Sequence, residues 1–207
     1  MKIGILGSGA VGVALAKGFM AEGHEVHIAT REPDGEKGTT LKNELDGATV
    51  TDFAAAAAAG ELLVLCVKAA GVEATIQALD AAALAGKVLI DTTNVMQQEN
   101  GLMIYAGDST SVAEKLQALL PDTHVVKAFN TVGAAIMYKP DLGETPTMFV
   151  AGNDESAKQQ VAEIMGTFGW ETLDTGPVVA ARALEHLVTI WVNNAMANGA
   201  HHALKML

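Results

Sequence analysis

The segment "KIGILGSGAVGVALAKGF", residues 2 to 19, constrains the fold more than any other stretch. A short apolar run ends at Gly7. Gly7, Gly9 and Gly12 then stand in G-x-G-x-x-G spacing, ahead of a stretch with Val11, Leu15 and Phe19 at helical intervals. That order is a strand, a tight turn and a helix. The first glycine makes the turn off the strand, the second lets the backbone approach a pyrophosphate, and the third lets the helix pack closely on the strand. The helix N-terminus then offers unsatisfied N–H groups and a partial positive charge to phosphates. A glycine-rich turn with no ligand is the bland alternative. A strand before, a helix after and a second strand at the right distance weigh against it.

Beyond this opening, short apolar runs alternate with helical stretches. Strands are expected over 2–7, 25–30, 49–52, 62–68, 87–94, 124–132, 145–152 and 170–176. Helices are expected over 10–22, in the alanine-rich 52–60, near 111–120, over 154–169 with Asp154 as N-cap, and over a long final stretch from about 179 to 205. The alternation implies an α/β fold: a Rossmann-type, doubly wound, mostly parallel sheet of about eight strands with a long C-terminal helix. Residues 1–207 read as one domain, with a dinucleotide-binding core over about 1–132 and an extension of strands and helices over about 133–207. The opening Lys and apolar run raise the question of a signal peptide, but glycines break the run and it reads as part of the fold. The apolar stretch "LVTIWVNNAMANGAHHAL" is interrupted by three Asn and two His, so no membrane span is expected.

Net charge is −11, which argues against nucleic acid as a partner, because phosphates demand a basic face. The single cysteine, Cys66, excludes an internal disulfide, and a reducing, cytoplasmic setting is the expectation. Cys66 lies inside "LLVLCVK", where a small buried hydrophobe is favoured over a nucleophile.

"IATREPDG", residues 28 to 35, departs from the NAD pattern. The ribose-reading position lies about 20 residues past the glycine loop, at the end of the second strand. A carboxylate there accepts hydrogen bonds from the ribose hydroxyls of NAD. Here the strand ends in Thr30 and Arg31. An arginine offers a planar, permanently charged fork to a 2′-phosphate, Thr30 adds a hydroxyl donor, and Lys37 brings a second charge. The expected cofactor is therefore NADP(H). A surface arginine in an ordinary loop is the alternative, and Glu32 and Asp34 leave NAD(H) open.

These residues resemble the F420-dependent NADP oxidoreductases, which exchange a hydride between NADP(H) and the deazaflavin coenzyme F420. "MKIGILGSGAVGVALAKGFMAEGHEVHIATR", "VVKAFNTVGA", "MFVAGNDESAKQQV", "LDTGPVVAARALEHL" and "NNAMANGAHHALKML" carry the likeness over nearly the whole chain. The wider relatives include the reductase domain of membrane ferric reductases. The resemblance implies that the 2′-phosphate falls on Ser8, Thr30, Arg31 and Lys37, and the pyrophosphate on the backbone of Ser8, Gly9, Ala10 and Val11. It places Cys66, Val67, Lys68 and Asn94 beside the nicotinamide half, and Asn130, Thr131 and Ala134 beside the hydride acceptor. The chain departs from the archaeal pattern in having a shorter glycine loop, Asn130 in place of a His, and Lys68 in place of a Pro.

Hydride transfer between two held rings needs no side-chain acid or base, and no catalytic residue is assigned. Carbonyl reduction needs a proton donor, for which Lys68, Lys127, Tyr105 and His186 are candidates without a surrounding motif. Asp91 is expected either to contact substrate or to cap the next loop. His201 and His202 point about 100° apart on a helix, and no metal site is expected. Trp191, Met196 and Leu204 suit core packing or a dimer seam.

Three readings follow. The first is an NADP(H)-dependent oxidoreductase with a small-molecule hydride acceptor of F420 type. The second is an NADPH-dependent reductase of a flavin, a ferric chelate or a small carbonyl or imine compound. The third, of another class, is a nucleotide-sensing or partner-binding module without turnover. A homodimer is compatible with each.

Overall fold

The computed structural model describes residues 1–207. Ten strands are formed: β1 (Lys2–Leu6), β2 (Glu25–Ala29), β3 (Thr49–Thr51), β4 (Leu62–Leu65), β5 (Val88–Asp91), β6 (Met96–Glu99), β7 (Leu102–Tyr105), β8 (His124–Lys127), β9 (Thr147–Gly152) and β10 (Glu171–Asp174). The helices between them are α1 (Ala10–Ala21), α2 (Glu36–Glu44), α3 (Phe53–Ala59), α4 (Val72–Gln77), α5 (Ala81–Leu84), α6 (Val112–Leu119), α7 (Glu155–Thr167) and α8 (Ala181–Asn198). Eight strands make one sheet in the order β10-β9-β8-β5-β4-β1-β2-β3, and β6 and β7 form a separate hairpin. Every pairing in the large sheet is parallel except β8 with β9.

The central strands are buried on both faces, which is why they read as unbroken apolar runs rather than alternating ones. Alternate residues feed two cores. Ile3, Ile5, Val64 and Ile90 join Leu15, Phe19, Phe168 and Trp170 on the face covered by α1 and α7. Leu63, Leu65 and Leu89 join Ala56, Ile76, Leu116 and Leu184 on the other. The six alanines of α3 have a packing reason as well as a helical one. A Cβ on Gly4 would stand 2.4 Å from the Ala56 carbonyl oxygen, so α3 lies almost in backbone contact with β1.

Three expectations need adjustment. The last helix stops at Asn198 rather than near 205, because Gly199 takes φ +92° and reverses the chain. The tail is then held in irregular structure. The Trp191 indole N–H donates to the His202 carbonyl at 2.9 Å, and the Thr147 amide donates to the Leu204 carbonyl at 2.9 Å. The runs at 62–68, 87–94 and 124–132 yield strands only to Leu65, Asp91 and Lys127. Past these ends the chain bends over the sheet edge, most sharply at Phe129, which holds φ +56°. Finally, the β6–β7 hairpin was not anticipated. Its turn, Asn100-Gly101 with φ +49° and +83°, is the two-residue type that Asn-Gly favours. No helix is long and apolar enough to cross a membrane.

Candidate active site

The chain passes from β1 outward to β2 and β3, then crosses back to β4 on the other side of β1. Connections diverge between the C-terminal ends of β1 and β4, the point at which an open α/β sheet leaves a crevice. A cleft of about 990 Å³ opens there. Gly7, Ser8 and Gly9 form its floor, Thr30, Arg31, Glu32, Lys37 and Phe53 one wall, and Cys66, Val67, Lys68 and the Ala70–Ala78 region the other.

The glycine turn is built as its spacing implied. Gly7 has φ +128° and would bring a Cβ within 2.6 Å of the Cys66 carbonyl oxygen, while a Cβ on Gly12 would meet the Gly7 carbonyl oxygen at 2.1 Å. The third glycine thus lets α1 close on the turn. A Cβ on Gly9 would meet nothing within 4 Å, so the backbone there faces open space. Four other helices start with a side chain bonded to a first-turn amide: Asp52, Asp80, Ser111 and Asp154. At α1 the N-cap is Gly9 and, as at α2, α4 and α8, no side chain caps it. Its free N–H groups and positive dipole end lie at the cleft.

The electrostatics of the cleft are set apart from the rest of the surface. Nine of the thirteen Lys and Arg side chains are paired with carboxylates. Lys87 donates to the Ala57 and Ala58 carbonyls. The three that remain, Arg31, Lys37 and Lys68, have no ion pair, and all three line this cleft. In a chain of net charge −11, unpaired cations gathered at one place indicate a site for an anion supplied from outside. Thr30 is buried, its amide bonded to the Thr51 carbonyl at 3.0 Å. Asp34 leans toward Lys42 at 3.8 Å and lies outside the cleft lining. Cys66 is half-buried, and burial pushes its thiol up to about 12.

Ala10, Val11 and Gly12 form the first turn of α1 behind the loop. Of the residues expected beside the nicotinamide, Cys66, Val67 and Lys68 line the cleft, whereas Asn94 stands with the acceptor-side residues Asn130, Thr131 and Ala134 in a separate group past the ends of β5 and β8. Asn94 and Asn130 are bound to one another: Asn94 Nδ2 donates to the Asn130 carbonyl at 2.8 Å, and Asn130 Nδ2 donates to Asn94 Oδ1 at 3.1 Å and to the Leu184 carbonyl at 2.8 Å. Thr131 is buried, and Ala134 is half-buried in a 3-10 turn over 134–136. None of these four is part of the cleft lining.

Beneath them lies a fully buried charge cluster. Lys127 Nζ donates to Asp91 Oδ2 at 2.9 Å, to Glu185 Oε1 at 2.9 Å and to the Thr93 carbonyl at 2.5 Å. Glu185 Oε1 also accepts from the Val112 amide, and Asp91 Oδ1 from the Thr93 amide. Burial pushes the Glu185 carboxyl up. Lys127 is therefore a structural tie and not a proton donor to substrate, and Asp91 serves as the cap that was one of its two expected roles. Tyr105 and His186 lie against one another, ring centroids 4.1 Å apart and planes tilted by 38°, away from the cleft lining. His201 and His202 bond to backbone carbonyls, and no three potential ligands gather at a metal-binding distance.

Phe53 and the wall from Ala70 to Ala78 were missed in the sequence. The signal was available, since the crossover leaving the fourth strand must border a crevice at this switch point. A second recess of about 400 Å³ lies at the start of β8, lined by Gln117, Pro121, Thr123, His124, Asn153 and Asp154. Its polar groups are engaged within the protein: Gln117 bonds three backbone groups, Asn153 the Val178 amide, and Asp154 caps α7.

Residues 2–95 match the model of the family described as NADP oxidoreductase, coenzyme F420-dependent. A crystal structure from Arthrobacter sp. FB24, provisionally named an F420-dependent NADP reductase, is 32% identical and superposes with a TM-score of 0.92, covering 100% of this chain and 99% of that one. The rat (Rattus norvegicus) metalloreductase STEAP3 is 30% identical over 184 residues, 89% of this chain and 36% of its own length. The chain thus spans about a third of that curated relative. An imine reductase from Aspergillus terreus shares the fold at 22% identity, with a TM-score of 0.70 over 96% of this chain and 63% of that one.

Proposed function

The chain belongs to the family of coenzyme F420-dependent NADP oxidoreductases, and from that membership we propose that the cleft at the β1 and β4 ends holds NADP(H) and that the protein passes a hydride between its nicotinamide and an F420-type deazaflavin. The observation that carries this reading is that the three unpaired cations line the same cleft as the glycine loop. The pyrophosphate lies against the N–H groups at the start of α1, where the dipole favours negative charge. Arg31, Lys37 and the Thr30 hydroxyl take the 2′-phosphate, with Arg31 able to bind it through two parallel N–H groups. Phe53, Ala70, Ala74 and Ala78 give the adenine an apolar slot. Cys66, Val67 and Lys68 lead toward the nicotinamide.

NADP(H) supplies the hydride chemistry when bound. The protein binds the cofactor, orients its ring and keeps the opposite face open to an acceptor at the C-terminal strand ends. The paired Asn94 and Asn130 fix the floor of that region by tying β5 to β8. Hydride transfer between two held rings needs no side-chain proton donor; of the four candidates, Lys127, Tyr105 and His186 are engaged elsewhere, and Lys68 lines the cleft without an ion pair.

Likeness to a metalloreductase favours a second acceptor class, a flavin or a ferric chelate. NADPH oxidation, followed by its absorbance with F420, FMN, FAD and ferric chelates in turn, separates the readings. Turnover with F420 alone is the expected result. Turnover with flavins or ferric chelates supports the second class, and tight NADPH binding with no acceptor reduced contradicts an enzymatic role.

A further inference from the structure

Resting on the reading that the cleft holds NADP(H), we propose that Gly38, itself outside the cleft lining, is the positioning residue that makes the cleft selective for the 2′-phosphate. Arg31 follows β2 directly, so the strand places it. Lys37 comes six residues later, after a loop that runs outward through Asp34, whose side chain is 98% exposed. For Lys37 to line the same cleft the chain must turn back sharply, and it does so around one atom. The Glu32 carbonyl oxygen accepts from the Gly35 amide at 3.2 Å and from the Gly38 amide at 3.1 Å.

That closure leaves no room at position 38. A Cβ there would stand 1.9 Å from the Pro33 carbonyl oxygen, 2.4 Å from its carbon and 2.8 Å from the Glu32 carbonyl oxygen. All three are backbone atoms, so no side chain can swing aside. Gly38 is buried in the first turn of α2, where glycine is a poorer helix former than alanine. Any larger residue must lift that turn off the loop, break the bond to Glu32 and withdraw the adjacent Lys37 from the cleft.

The same closure also sets the position of the one carboxylate in the lining, Glu32. Glu32 Oε2 lies 3.3 Å from where a Cβ on Gly35 would sit, so the side chain is folded back over Gly35. Gly35 is the N-cap of α2 and has no side-chain cap, and the helix's positive end favours a carboxylate beside it. The loop therefore brings a cation into the cleft and holds the Glu32 carboxylate against the start of α2.

The test measures the affinities of the full chain for 2′,5′-ADP and for 5′-AMP, which differ only in the 2′-phosphate. Gly38→Ala should weaken 2′,5′-ADP about tenfold or more and leave 5′-AMP within about twofold, since a charge-assisted phosphate contact is worth that much. A merely structural role would weaken both alike. Preserved selectivity in Gly38→Ala, with Arg31→Ala selectivity lost, overturns the role of Gly38 and leaves the cofactor reading standing. A wild-type protein that binds both nucleotides equally overturns both. Should Gly38→Ala not fold, Gly35→Ala asks the same question with milder contacts, 3.1 and 3.3 Å from the Glu32 side chain. It should lower selectivity about threefold, and unchanged selectivity contradicts the proposal.

Discussion

Three side chains, Arg31, Lys37 and Lys68, carry most of the functional argument because nothing in the chain neutralises them. A surface lysine in so acidic a protein readily finds a carboxylate, as Lys2, Lys17 and Lys115 do. Lys37→Ala is therefore expected to reduce NADPH affinity about three- to thirtyfold and to flatten its dependence on salt, because screening acts on the charge that was removed. Isothermal titration at two ionic strengths reads both effects, and an unchanged salt slope contradicts them. Cys66 lies on the opposite wall, yet its thiol is held up to about 12 by burial. Since the thiolate is the reactive form, maleimide labelling at pH 8 should be far slower in the native protein than in denaturant. Equal rates would show a reactive thiol at the cleft instead.

Among the elements, the tie between α6 and α8 gives the clearest pH dependence. Ser111 and Glu114 form a capping box at the start of α6, and Arg182 from the first turn of α8 binds both Glu114 oxygens. The Arg182 guanidinium lowers the Glu114 carboxyl from 4.5 to about 2. A depressed carboxylate contributes stability above its unfolded value, so the contribution is complete above about pH 4.5 and is lost as pH falls toward 2. Arg182→Ala should lower the melting temperature at pH 7, and the gap to wild type should narrow at acid pH. A constant gap refutes this coupling. All eight strands of the large sheet are legible in the sequence: the central ones, buried on both faces, are short apolar runs between turn residues, and the edge strands β3 and β10 are short runs set between a helix and a turn. Their order, and the antiparallel turn of β9 against β8, are not, since neither leaves a local mark. The hairpin was legible but hidden: β6 reads "MQQE", with no apolar face, and it holds because Asn193 of α8 bonds the amide and carbonyl of Met103. The cleft was legible where single motifs build it, at Gly7–Gly12 and Thr30–Arg31. Its Ala70–Ala78 wall was not, because alanines carry no chemical signature outside the fold that positions them.

The whole molecule is organised around two ends of one sheet edge. At β1 and β4 the backbone is open and cationic, and at β5 and β8 it is closed by a buried cluster that joins α6 and α8 to the sheet. Lys127 is the hub of that cluster, with its side chain and those of Asp91 and Glu185 fully buried. Removing it leaves two carboxylates facing one another without a counter-charge, so Lys127→Ala should cost about 3–5 kcal/mol in chemical denaturation. A loss below about 1 kcal/mol, the value of an exposed pair, would contradict the role assigned to it. The NADP(H) reading depends on the other end. Its most direct test compares NADPH and NADH binding to the wild-type protein and to Arg31→Ala. The wild type should bind NADPH at least about tenfold more tightly, and Arg31→Ala should remove most of that preference while leaving NADH nearly unchanged. Equal affinities in the wild type, or equal losses for both cofactors in the variant, would contradict the NADP(H) reading.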